Sequence, residues 1–245
     1  MRSAICACWV IRTAKDKAGG PNVEAVRDDD LPEVEEENSV PDDAFATVVK
    51  DLDEPVVLSN TVEYKECPPT APYRRDLLGL SVTEIARIAL DVVEAEGPIH
   101  TEEVARRVRE AFSLQKTGKR ILAHVRAGLK HLARNGSVVR DGEFWWAVGR
   151  DLPAVRNRRN AALPLRRAAM IAPAEYELAI LTIIAEAVAI ERDDLVVETA
   201  RLFGFDRTGP DLKEAIDKQT ATLVKMRRLE LAGNVLRLGP LSAHK

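Results

Sequence analysis

The chain has 245 residues and a formal net charge of −3, with 46 % apolar residues but only 4 % aromatic ones. That length holds one or two ordinary domains, and a core with so few aromatics must be built from Leu, Val, Ile and Ala, which suits small helical units. The apolar run at residues 4–11 is too short to span a bilayer and has no cleavage site of a signal peptide, so no membrane partner and a cytoplasmic location are expected.

Charge is unevenly spread. Residues 1–70 hold 16 acids and 7 bases, a net of −9, which leaves +6 on the remainder. Acidic runs at Asp28 to Asp30 and Glu35 to Glu37 sit among frequent prolines, with no apolar period of two or 3.6. Such a segment buries too little apolar surface to offset about 1–2 kcal/mol of backbone entropy per residue. Residues 1–72 therefore read as a mostly disordered acidic arm, with a short strand expected near Val56 to Leu58. Self-masking of the basic body by this arm is a secondary expectation. Cys6, Cys8 and Cys67 form no CxxC pair and only four His residues occur, so spacing assembles no zinc site, and no metal or other cofactor is expected.

From residue 81 the pattern becomes helical. Ser81 or Thr83 caps a helix whose Ile85, Ile88, Ala89, Val92 and Val93 recur at helical spacing, and Gly97 ends it. Gly97-Pro98-Ile99-His100 gives a short extended step. Thr101 is expected to cap a second helix, with Glu102 and Glu103 in its first turn and Val104, Val108 and Phe112 as its buried stripe. His100 reads as a turn residue. Thr117 is expected to cap a third helix that runs to about Arg134 and stops at Asn135-Gly136. Residues 137–140 and 143–148 read as strands around the tight-turn dipeptide Asp141-Gly142. Helix, short strand, helix, helix, hairpin is the order of a winged helix.

Sliding the sequence by 91 residues lays this unit over a second one without a gap. Leu90 meets Leu181, Val92 and Val93 meet Ile183 and Ile184, Phe112 meets Phe203, Thr117-Gly118 meets Thr208-Gly209, and Gly142 meets Gly233. Apolar positions meet apolar positions, as a duplicated fold requires. The expected organisation is mainly α with small β-hairpin wings (α+β): an arm over 1–72, winged-helix-like units over 73–149 and 169–240, and a basic linker over 150–168.

Pro72-Tyr73-Arg74, EGPIHTEEVARRV from Glu96, KTGKRI from Lys116 and RRLELAGNVLRL from Arg227 together resemble an uncharacterised bacterial domain, domain of unknown function family 3320. It lies at the C-terminus of large proteins that carry a superfamily-one helicase core and a restriction-endonuclease-like domain. The resemblance covers roughly residues 70–240. It implies an accessory domain of a DNA-processing machine, with a helicase or nuclease subunit as a partner, and transfers no catalytic residue. The chain has no GxxxxGK[ST] phosphate loop, so helicase-type ATP binding does not carry over.

The strongest physical signal is the third helix of the first unit. Residues 116–134 contain Lys116, Lys119, Arg120, Arg126, Lys130 and Arg134 and no acid. Ile121, Leu122, Val125, Leu129 and Leu132 cluster on one side at 100° per residue. Lys119, Arg120, Lys130, His131 and Arg134 line the other, with Ala123 and Ala127 between them. Small residues flanked by cations let a helix approach a duplex while the cations reach phosphates. Thr117 joins this set at the helix start, Arg140 is a candidate wing contact, and Arg156, Arg158 and Arg159 with Arg166 and Arg167 read as a flexible basic strap. A solvated Lys/Arg face and a soluble connector are the plain alternatives.

The second unit's third helix mixes Lys213, Lys218 and Lys225 with Asp211, Glu214 and Asp217, so its field cancels and packing on a partner is expected. Trp145 and Trp146 alternate on a strand, one to the core and one to a half-exposed edge. Pro41-Asp42 followed by Glu63-Tyr64-Lys65 matches the residue order of a Mg²⁺-dependent PD…ExK nuclease, but inside an irregular arm. The expected function is non-enzymatic DNA binding, without a catalytic residue, a metal site or a small-molecule substrate. A protein–protein scaffold is the second expectation and the Asp42/Glu63/Lys65 nuclease a minor one.

Overall fold

The computed structural model describes residues 61–67, 76–152 and 154–240. The expected strand near Val56 to Leu58, Asp42 and almost all of the acidic segment lie outside these residues.

Helix α1 (Val82–Glu96) starts at Ser81, whose hydroxyl accepts from the Glu84 N–H while the Glu84 carboxylate accepts from the Ser81 N–H. This reciprocal capping box satisfies two orphan donors. Strand β2 (Ile99–His100) leads directly into α2 (Thr101–Ala111), and α3 (Lys119–Arg134) follows a short loop. Strands β3 (Val138–Asp141) and β4 (Phe144–Ala147) form a hairpin whose tip residue Gly142 has φ +59°, a conformation costly for residues with a Cβ. The sheet order is β2-β4-β3, antiparallel throughout. Apolar faces of the three helices close over it, with Ile85, Val93, Val104, Val108, Val125 and Leu129 at 0 % exposure. Gly128 lets α3 lie close to α1: a Cβ there would stand 2.9 Å from Ile85 Cγ2 and 3.1 Å from the Ala86 nitrogen.

The same series recurs 91 residues later as α4 (Pro173–Ala187), β6 (Ala189–Glu191), α5 (Arg192–Leu202), α6 (Pro210–Lys225), β7 (Leu229–Ala232) and β8 (Val235–Leu238). Its sheet has the matching order β6-β8-β7, and Gly233 turns the hairpin at φ +62°. The described part of the chain is thus an α+β fold made of two like-ordered copies with separate apolar cores.

The caps differ from expectation in two places. His100, not Thr101, is the N-cap of α2, and its Nδ1 accepts from the Glu102 N–H at 3.2 Å. Thr101 is the first helical residue; its hydroxyl donates to the Glu143 carbonyl and accepts from Trp145 Nε1. Likewise α3 begins after Gly118 without a side-chain cap, so Thr117 stands one residue outside, and α6 repeats this with Gly209.

The segments expected to be an arm and a flexible linker meet between the copies. Strand β1 (Thr61–Glu63) pairs in parallel with β5 (Val155–Asn157), and Tyr64 just beyond it is buried. Arg156 donates from Nη2 to the Pro98 carbonyl and from Nε to Glu175, so it joins the first copy to α4. Arg158 donates from Nη2 to Glu175 at 2.7 Å, and its backbone N–H bonds the Phe203 carbonyl. Glu96 accepts from the Tyr64 hydroxyl at 2.8 Å, from the Cys67 N–H at 2.7 Å and from Arg107. Glu66 pairs with Arg106 and Arg107. Both guanidiniums of Arg156 and Arg158 lie over the Tyr64 ring, at 4.8 and 5.0 Å from its centroid. Residues 61–67 and 155–158 are therefore ordered by partners about 20 to 100 positions away in sequence, which no local period announces.

Glu175 is fully buried. Burial raises its pKa, but the charges and hydrogen bonds of Arg156 and Arg158 outweigh that and hold it at about 2, below the ordinary 4.5. A depressed carboxylate stabilises the fold above its unfolded pKa and loses that contribution as pH falls from 4.5 toward 2. Glu175→Ala leaves two desolvated arginines without a counter-charge. It is expected to lower unfolding stability by about 3–5 kcal/mol, read by urea denaturation at neutral pH. The difference between wild type and variant should shrink as pH drops below 4.5.

Candidate nucleic-acid interface

Helix α3 buries Ile121, Val125, Gly128, Leu129 and Leu132, so its opposite face is turned outward. Lys119, Arg120, Ala123, Lys130 and Arg134 are exposed, and Ala127 and His131 are half-buried. Lys116 and Thr117 are exposed in the loop just before it. At 100° per residue, Lys119, Lys130, Ala123, Arg134, Ala127 and Arg120 occupy one continuous arc, with the two alanines between cations. Among the described residues Lys116, Lys119, Arg120, Lys130 and Arg134 have no ion-pair partner within 4.0 Å, whereas most other arginines of the first copy do.

Arg126 and Arg140 stand at one edge of this arc and share a carboxylate. Arg126 Nη2 lies 2.8 Å from Glu143 Oε2, and Arg140 Nη2 lies 3.3 Å from Oε1. Arg140 also donates from Nε to the Gly142 carbonyl and lies over the Trp145 ring at 5.2 Å. Trp145 is buried in the core and Trp146 is half-buried on the other face of β4, as strand alternation requires.

The structure separates the three linker arginines from this face. Arg158 is 1 % exposed and Arg156 nearly buried, both tied to Glu175, so neither belongs to a free strap. Arg159 is exposed and paired with Asp206 at 2.7 Å. Arg166 is exposed, and Arg167 approaches Glu102 at 3.9 Å. A sequence cue to the burial existed. Glu96 follows Val92 and Val93 on the apolar side of α1, and Glu175 precedes Tyr176, Ala179 and Ile180 on that of α4. A carboxylate on a buried stripe demands a cation from elsewhere in the chain.

In the second copy Lys213 of α6 and the neighbouring Arg192 are answered locally, whereas Lys218 and Lys225 are exposed with no ion-pair partner within 4.0 Å among the described residues. Lys213 lies 3.1 Å from Asp193 and 4.0 Å from Asp217, and Arg192 lies 2.9 Å from Asp217. Of the nuclease-like trio, Glu63 accepts from Asn160 on the exposed edge of β1, Lys65 is exposed, and Asp42 is outside the described residues. No cluster of three or more His, Cys, Asp or Glu suited to a metal ion occurs among the described residues. None of their helices is long and apolar enough to cross a membrane.

With this geometry in place, comparison with known proteins gives one match. Residues 80–123 fit the model of a protein family of unknown function, DUF3320. The matched stretch runs from the end of the turn before α1, through β2 and α2, into the first turn of α3, and so includes Lys116, Thr117, Lys119 and Arg120. No curated protein and no solved structure matches the chain.

His100 ties this region to pH. Burial lowers its pKa below the ordinary 6.5, with Glu102 and Glu143 pulling the other way, and its Nδ1 must stay unprotonated to accept the Glu102 N–H. A depressed histidine stabilises the fold above its unfolded pKa and loses that contribution as pH falls below 6.5. Wild-type stability measured by chemical denaturation is expected to decline as pH falls below the ordinary histidine value of 6.5. His100→Asn, which keeps a capping side chain without a titrating one, should flatten that decline.

Proposed function

We propose that the chain is a non-enzymatic DNA-binding module made of two winged-helix units, in which α3 and the β3–β4 hairpin of the first unit contact the duplex. The element order and the matching strand orders β2-β4-β3 and β6-β8-β7 support the winged-helix reading. The observation that carries the DNA reading is the outward arc of Lys119, Arg120, Lys130 and Arg134 around Ala123 and Ala127. These cations reach solvent, and the alanines leave the backbone close to whatever the helix meets. Phosphate contact by such a helix positions it on a duplex without requiring a fixed base sequence. A role beside helicase or nuclease machinery is part of the proposal; it draws on the resemblance of residues 70–240 to the C-terminal region of helicase-like proteins. Localisation in the cytoplasm fits that reading.

A protein–protein scaffold is the second reading, favoured by Val188, Met226 and Leu231, all exposed on the second copy. Salt separates the two. A fluorescein-labelled DNA duplex titrated by fluorescence polarisation should bind, and log K should fall with log salt by about 0.9 per phosphate neutralised. Lys119→Glu combined with Lys130→Glu should reduce affinity by about 100-fold or more, the equivalent of several lost phosphate contacts. Unchanged binding in that pair, or binding insensitive to salt, would contradict the reading. Mg²⁺-dependent cleavage of a plasmid that stops in Asp42→Ala would contradict its non-enzymatic part.

A further inference from the structure

The Arg126–Glu143–Arg140 cluster has no counterpart in the second copy. Shifted by 91 residues, its positions hold Asp217, Leu231 and Asn234. The backbone role of the tip residue is the same in both. The Glu143 carbonyl accepts the Thr101 N–H at 2.8 Å, and the Asn234 carbonyl accepts the Arg192 N–H at 3.0 Å. The side chains differ: where two arginines converge, the tip carries a carboxylate, and where they are absent it carries an amide. Glu143 is thus not needed to build the hairpin, and its carboxylate does something specific to the copy with the cationic helix.

That carboxylate receives one N–H from α3 and one from β3, at 2.8 and 3.3 Å, from two side chains that stay 41 % and 44 % exposed. Arg126 lies seven residues after Lys119 and four before Lys130, hence on the edge of the same outward stripe. The ion pairs are solvent-accessible, so each is weak and open to exchange for a dianionic or polyanionic competitor. We propose that Glu143 is a built-in phosphate mimic, which holds Arg126 and Arg140 in position and must be displaced by a backbone phosphate when the hairpin reaches DNA. This rests on the DNA-binding reading above. Its consequence is a restrained affinity: the two arginines are preset for phosphate, but each encounter competes with an internal anion at very high effective concentration.

The test uses the full chain, a short fluorescein-labelled DNA duplex and three salt concentrations. Glu143→Gln removes the charge, and Glu143→Asn installs the residue the second copy carries. Both keep the backbone carbonyl that binds Thr101, and a thermal melt of each reports folding. Either variant is expected to bind about tenfold tighter at low salt, with a log K–log salt slope steeper by about 0.9 for each phosphate newly neutralised. Arg126→Ala with Arg140→Ala, placed in the Glu143→Asn background, should erase that gain. Unchanged affinity and slope in both variants, while Lys119→Glu with Lys130→Glu still destroys binding, overturns the phosphate-mimic role and leaves the DNA reading standing. Absence of duplex binding by the wild-type chain overturns both.

Discussion

Glu96 and Glu175 are carboxylates placed on the apolar faces of two helices, where an unpaired charge would cost several kcal/mol. The rest of the described structure is arranged to answer them. Arg107 comes from the next helix, Arg156 and Arg158 from the segment between the copies, and Tyr64 from far upstream. These partners originate in different parts of the chain, so at this junction the copies are joined by side-chain hydrogen bonds as well as by the covalent connection. The same junction removes Arg156 and Arg158 from solvent, which leaves the outer arc of α3 as the main set of free cations in the first copy.

Duplication supplied the scaffold and divergence supplied the charge. Every helix and hairpin strand recurs at an interval of 91 residues, yet equivalent side chains do unlike work. Glu84 and Glu175 occupy the same third helical position. The first caps its own helix with Ser81, whereas the second follows Ala172, which offers no capping oxygen, and turns to the two arginines. Arg107 and Glu96 of the junction correspond to Glu198 and Ala187, and Arg126 of α3 corresponds to Asp217. The outer face of α3 carries cations without acids, while α6 mixes Lys213, Lys218 and Lys225 with Asp211, Glu214 and Asp217, and of its lysines Lys213 is ion-paired.

The local parts of this arrangement were legible in the sequence. Helical spacing of Ile85, Val92, Val104, Val125 and Leu129 marked the core, Asp141-Gly142 marked the hairpin, and the gapless repeat announced the series of elements that recurs 91 residues later. The outward placement of Lys119, Arg120, Lys130 and Arg134 followed from the same period. What was not legible depends on distant pairing. Strand β1 finds its partner more than 90 residues away, and the burial of Arg156 and Arg158 depends on Glu175. The cap at His100 was missed because a histidine nitrogen does there what a Ser or Thr oxygen commonly does. Glu143 could have been read from the repeat itself, as the acid facing Arg126 and Arg140 where the other copy has an amide.

The central claim is that the outer arc of α3 meets DNA while the charged junction stays sealed. Lysine footprinting by acetylation, followed by mass spectrometry with and without duplex DNA, tests it residue by residue. The account predicts DNA protection of Lys116, Lys119 and Lys130, with Lys213, Lys218 and Lys225 acetylated equally in both states. Equal acetylation of the first three lysines with and without DNA, or protection confined to the second copy, would contradict it.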